Sequence, residues 1–148
     1  KAGHDLETSS GDKNYALLTG YSVDDSSMLE DIQYVISIPD RVQGLAFTSD
    51  GEFIISQSFW SFQSSNIKVF QNVLEKEHDD YYMIDDKKIP LWYLDSSVLN
   101  RDYHLPPMSE AIVSVDDSLY VLFESASNYY KWYTHDSVNY IAKMKIKK

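Results

Sequence analysis

Two stretches of this chain follow one plan. QGLAFTSDGEFIISQS (Gln43 to Ser58) and EAIVSVDDSLYVLFES (Glu110 to Ser125) each read as a strand, a tight turn and a returning apolar strand with a polar exit. Shifted by 67 residues without a gap, Leu45 meets Ile112, Asp50 meets Asp117 and Phe53 meets Tyr120. Ile54 then meets Val121, Ile55 meets Leu122, Gln57 meets Glu124 and Ser58 meets Ser125. NIKVFQ (Asn66 to Gln71) and YIAKMKI (Tyr140 to Ile146) follow as third strands in corresponding places. Only Asp50/Asp117 and Ser58/Ser125 are identities, so a chance likeness of two hairpins is the competing explanation. A three- or four-stranded antiparallel unit repeated along a chain predicts propeller blades. The second strand of a blade is buried on both faces, which accounts for FII and YVLF being continuous apolar runs rather than alternating ones. Blades of the usual length are shorter, about 40–50 residues. Insertions at Asn72 to Lys88 and Ser96 to Met108 make up the difference.

The rest of the chain is read around these units. Residues 1–14 form a loop or linker, and residues 15–148 the C-terminal portion of a β-propeller-like domain. YALLTGYSVD (Tyr15 to Asp24) is a strand with Gly20 at a bulge or a close-packing point. DDSSMLEDIQ (Asp24 to Gln33) is a polar connection with one helical turn, and YVISIP (Tyr34 to Pro39) is a strand ended by proline. Asp50-Gly51 supplies the turn residues that tolerate positive φ. Ile67 and Val69 fall on one face of their strand, Lys68 and Phe70 on the other. Asn72 to Lys88 is a charged surface excursion, IPLWYLD (Ile89 to Asp95) a strand, and Ser96 to Met108 a connection closed by a double proline. The fold class is therefore all-β: a partial propeller of about two to three antiparallel blades. Two repeats with leading strands do not close a ring, and the polar opening KAGHDLETSSGDKN resembles mid-protein loop. The expectation is a fragment that pairs with a missing N-terminal half or with a second copy.

Composition narrows the partners. The 148 residues carry 13 basic and 23 acidic side chains, a formal charge of -10. Nucleic acid is excluded as a partner, since phosphate binding needs clustered Lys and Arg and the only such cluster is the tail Lys143 to Lys148. No cysteine is present, which rules out disulfides, zinc-thiolate sites and cysteine nucleophiles. No apolar run approaches the ~18 residues of a membrane span. GxSxG, P-loop, GxGxxG and HExxH motifs are absent, which lowers the prior for hydrolase, kinase, oxidoreductase and metalloprotease chemistry.

IPDRVQGLAFTSDGEFIISQS (Ile38 to Ser58), IPLWYLD, PPMSEAI (Pro106 to Ile112) and LYVLFESAS (Leu119 to Ser127) together resemble the C-terminal half of a family of uncharacterised bacterial secreted or envelope β-propeller-like proteins, distantly similar to YVTN-type and lactonase-like propellers. The resemblance spans Tyr15 to Ile146. Family members commonly carry Arg in place of Gln57 and Gly in place of Ala111 and Ser127. It implies a propeller fold, an extracellular or cell-envelope location and an N-terminal half elsewhere. It implies no particular chemistry.

Candidate site residues come from the hairpin ends. Glu110 and Glu124 close one hairpin; Asp40, Arg41, Gln43, Ser56, Gln57 and Ser58 gather at the equivalent ends of the other. In a propeller these groups face one channel mouth, where Glu, Arg and Gln would hold a small polar ligand, a sugar or Ca²⁺. Buried Glu–Arg pairs locking neighbouring blades are the structural alternative. NYYKWY (Asn128 to Tyr133) offers an aromatic platform that includes Tyr130 and Trp132, suited to sugar rings or a protein surface, or else to covering a blade edge. His4, His78, His104 and His135 show no ligand spacing, HDDYYMIDD (His78 to Asp86) lacks the order of a Ca²⁺ loop, and no metal or cofactor is expected. Arg41, Gln43, Gln57, Glu110, Glu124, Tyr130 and Trp132 are thus the candidate ligand-binding residues, and no catalytic residue is assigned. The first functional expectation is a non-catalytic binding module for a protein or carbohydrate. A propeller hydrolase or lactonase acting on a sugar-like molecule and a structural scaffold are the alternatives. A scaffold requires Glu110 or Glu124 paired with Arg41 or Arg101 and no cavity. An enzyme requires carboxylates converging on an open pocket. A binding module requires exposed aromatics from Tyr129 to Tyr133 beside a groove.

Overall fold

Strands account for nearly all the regular structure in the computed structural model, which describes residues 6–146 apart from 25, 27, 28, 117, 131, 133 and 135. No α-helix occurs among the described residues, several small sheets form, and none closes into a barrel. No helix of the described residues is long and apolar enough to cross a membrane. His4, Asp117, Lys131, Tyr133 and His135 lie outside the described residues. The chain divides into two compact units, each built from two separate stretches.

The first unit comprises the chain up to Asp40 together with Val73–Val98. Within the segment expected as loop, β1 (Leu6–Glu7) pairs with β2 (Lys13–Asn14). The four-stranded sheet of this unit runs β3 (Ala16–Val23), β4 (Leu29–Ile38), β9 (Lys87–Tyr93), β8 (Asp80–Ile84). A bulge falls between Gly20 and Tyr21, where glycine is needed: the Tyr34 ring lies flat over it, 2.1 Å from where a Cβ would stand. β4 and β9 pair in parallel, and the crossover such a pair requires is the whole of Arg41–Asn72. Both are interior strands, and Val35 and Ile36, on opposite faces of β4, are fully buried.

Two expectations are corrected in this unit. Leu29 to Gln33 belongs to β4 rather than to a polar connection. The charged stretch Asn72 to Lys88 contains β8, and its acids serve the backbone: Asp80 Oδ1 accepts from the Tyr81 N–H at 2.7 Å, and Asp79 Oδ2 from the Tyr93 N–H at 3.0 Å. Strand pairing with β9 outweighed the low β-propensity of the flanking aspartates.

The second unit is Arg41–Asn72 with Leu99–Lys148. Its first sheet is an antiparallel meander of β5 (Val42–Phe47), β6 (Phe53–Gln57), β7 (Ser65–Phe70) and β10 (Leu99–Leu105). β10 lies where the sequence suggested a plain connection, and it supplies the fourth strand of the sheet. The second sheet is β11 (Ser109–Val115), β12 (Ser118–Phe123) and β13 (Ala142–Lys145). β6 is buried along its whole length, as the FII run implied.

The registers refine the repeat. Leu45 pairs with Ile55 and Lys68, and Ile112 with Val121 and Ala142. The first strands therefore match without a gap, but the returning strands match one residue earlier than the gapless alignment: Ile55 corresponds to Val121 and Ile54 to Tyr120. The cause is the turn. Phe47 pairs with Phe53 across Thr48–Glu52, whereas Val115 pairs with Ser118 across two residues. With this correction, equivalent residues point the same way. Ala46, Ile54 and Val69 of the first sheet face the second, while their counterparts Val113, Tyr120 and Lys143 lie on the second sheet's far side. The sheets stack front to back. The core between them joins Ala46, Ile54, Ile67 and Val69 to Ile112, Leu119, Val121 and Phe123. Its approach is close enough that a Cβ on Gly44 would stand 2.8 Å from the Glu110 carbonyl oxygen.

Candidate functional site

One end of the paired sheets is built by three loops. Residues 58–64 follow β6, Pro106–Met108 lead into β11, and residues 124–130 follow β12. Buried serines hold this end together. Ser56 and Ser109 share a 2.7 Å hydroxyl hydrogen bond between the sheets, and the Ser65 hydroxyl accepts from the Ser109 N–H at 2.9 Å. These small polar groups suit a seam where strand ends must satisfy one another without water. Ser125, fully buried, accepts the Val138 N–H on its hydroxyl at 2.9 Å and so closes the third loop.

An open cleft of about 410 Å³ lies among these loops. Gln43, Met108, Glu110 and Glu124 line it with Ser58 and Ser61, and its aromatic walls are Phe59, Trp60 and Phe62 on one loop with Tyr129 and Tyr130 on another. This volume falls in the ~300–1,000 Å³ range of small-molecule sites. Trp60, Phe62 and Tyr129 are 69%, 62% and 74% exposed. Large apolar side chains held open to water around a concavity are unusual outside binding surfaces. Tyr129 and Tyr130 meet edge to face with centroids 4.8 Å apart, which fixes one wall. Met108 adopts φ 64°, a left-handed conformation that costs a non-glycine residue about 1 kcal/mol or more and recurs at ligand sites. The Glu124 N–H donating to the Met108 carbonyl at 3.0 Å pins it there.

The electrostatics centre on two carboxyls. Glu110 titrates above its ordinary range because burial disfavours its charge, because Glu124 stands beside it, and because its protonated form donates a hydrogen bond to Glu124. None of the described lining residues is Lys or Arg. Arg41 turns elsewhere: its Nη1 donates to the Phe59 carbonyl at 3.0 Å, and its guanidinium lies 5.3 Å from the Phe59 ring centroid. It positions a wall rather than lining the cleft. Arg101 is at the opposite end of the sheets, bound to Glu52 at 2.5 and 2.6 Å.

Of the candidates read from sequence, Gln43, Glu110, Glu124 and Tyr130 converge on the cleft. Gln57 is buried at the end of β6, 5% exposed, and takes no part in the lining. Trp132, 80% exposed, is not on its wall. The residues missed were Phe59, Trp60 and Phe62, in the loop that joins β6 to β7. The signal was present, since three aromatics in four residues of a polar loop have no core to enter. Among the described residues no group of three or more His, Cys, Asp or Glu is arranged to hold a metal ion. No protein-family model matches this chain, and comparison with curated proteins and with solved structures found no match.

Proposed function

We propose that the chain is a binding module whose cleft at the Glu110–Glu124 end takes a saccharide-class ligand. The observation that carries this is the cleft itself, with aromatic faces on two loops and hydrogen-bonding Gln43, Ser58, Glu110 and Glu124 between them. Sugar rings present apolar C–H faces and a rim of hydroxyls, and such a lining serves both. The scaffold alternative is disfavoured because neither glutamate pairs with Arg101, whose partner is Glu52, and a cavity is present. The hydrolase alternative has one observation in its favour, two carboxyls lining one open site. Binding is preferred because exposed aromatic side chains wall the same cleft on two loops.

The propeller belongs to the same proposal. Two antiparallel meanders stacked front to back, with equivalent residues facing one way, are the relation between successive blades. The far face of the second sheet, with Val113 and Leu122 about half exposed, then corresponds to the face by which the first sheet covers the second. A second copy of the chain is the proposed cover. An extracellular or envelope location follows from the family resemblance.

Titration of the Trp fluorescence with neutral and amino oligosaccharides tests the ligand assignment. Saturable binding that Trp60→Ala and Tyr130→Ala each weaken at least tenfold is expected. Binding unchanged in both variants, or no binding to any oligosaccharide, overturns it.

A further inference from the structure

The cleft pairs five aromatic side chains with two carboxyls and no cation among its described lining residues. Neutral saccharides need no such imbalance, because hydroxyls are served equally well by amides, hydroxyls or backbone groups. A protonated amine uses both parts of the lining. Its charge meets a carboxylate in a charge-assisted hydrogen bond, and its C–H-rich surroundings lie against aromatic faces that attract cations.

Resting on the saccharide assignment, we propose that the ligand is an amine-bearing saccharide, with its ammonium seated between Glu110 and Glu124 and its ring against Trp60 or Tyr130. The placement follows from geometry. Glu110 enters from the start of β11 and Glu124 from just beyond the end of β12, and both line the cleft. Two carboxyls side by side repel once both are ionised, and an ammonium between them removes that repulsion. The Arg41 guanidinium is engaged with Phe59 and does not line the cleft. Acidic sugars, which would face the same two carboxyls, are rejected by the same charge.

The 148-residue chain is titrated by calorimetry at low salt, at a pH where sugar amines are protonated. The probes are a β-1,4-linked glucosamine tetramer, its fully N-acetylated form and a neutral glucose tetramer of the same linkage. The amine form is expected to bind at least tenfold more tightly than either neutral form. Glu124→Gln, at an exposed position, is expected to reduce that preference to less than threefold. Equal affinity for all three tetramers overturns the amine assignment and leaves the saccharide site standing. Binding to none overturns both. A preference that survives in Glu124→Gln and in Glu110→Gln overturns the assigned seat of the charge.

Discussion

Replacing Gly44 by alanine tests how closely β5 and β11 must approach. The added Cβ would stand 2.8 Å from the Glu110 carbonyl oxygen and 3.0 Å from the Ile112 nitrogen and Cγ1. Two of these three atoms are backbone and do not rotate aside. Ordinary contact begins near 3.4 Å against the 2.8 Å found, so the strands must part by about 0.6 Å. A gap of that size forfeits about a quarter to a half of the dispersion attraction between facing groups. Those groups are Ala46 and Ile54 on one side and Ile112 and Val121 on the other. Overpacking of this kind costs about 1–3 kcal/mol. Alanine also restricts the unfolded chain, which returns about 0.4–1 kcal/mol wherever the native backbone accepts it. Gly44 is not among the positive-φ glycines, so that gain applies. The net expectation is a loss of about 1–2 kcal/mol, read from urea unfolding followed by Trp fluorescence, with an unchanged dependence on denaturant. Because Glu110 is displaced with its strand, ligand affinity should fall as well. A variant with a midpoint equal to or above that of the parent would refute the close packing of β5 on β11.

Further outcomes are expected from other parts of the structure. Ser109→Ala leaves the fully buried Ser56 hydroxyl without its partner and should destabilise by about 1–3 kcal/mol, whereas the double alanine variant should recover part of the loss; a double-mutant cycle on thermal or urea unfolding checks this. Glu110 titrates above its ordinary value of 4.5, so between those two points the folded state holds the extra proton. Its contribution to stability is full below about pH 4.5 and is lost as pH rises, and Glu110→Gln should flatten that slope in unfolding measured across this range. Asp95 has the opposite sign. Burial raises it, but the Ser97 hydroxyl and backbone N–H hold it below its ordinary range, so its contribution is lost in acid, and Ser97→Ala should lower stability at neutral pH and flatten the acid dependence of unfolding. Light scattering behind size-exclusion chromatography should show self-association that Val113→Lys with Leu122→Lys abolishes; a monodisperse monomer of the parent chain counts against a second copy on that face.

The strand content was legible because β6 and β12 are runs of Phe, Ile, Val and Leu with no helical period. The paired hairpins were legible from their common order of strand, turn and apolar strand. The register was not. A turn of five residues and a turn of two look alike in sequence, yet the difference moves every side chain of β12 to the opposite face from the gapless expectation. β10 was hidden because Asn, Arg, Asp and His outnumber its apolar residues, and β8 because it lies in a stretch crowded with charge on both sides; pairing with a neighbour decides such segments. The glutamates were found from their places at the hairpin ends. The aromatic loop at Phe59–Phe62 was overlooked because serines and glutamines dominate its composition.

The parallel pairing of β4 with β9 sets the order in which a ribosome could deliver this protein. The stretch that joins those strands includes Arg41–Asn72 of the other unit, so each unit waits for the other's residues to be made. Any backbone cut between residues 48 and 86 separates partner strands in both units at once. Nicked halves would therefore regain structure only by complementing each other, and neither unit can be excised as a continuous piece without carrying the intervening stretch of its neighbour.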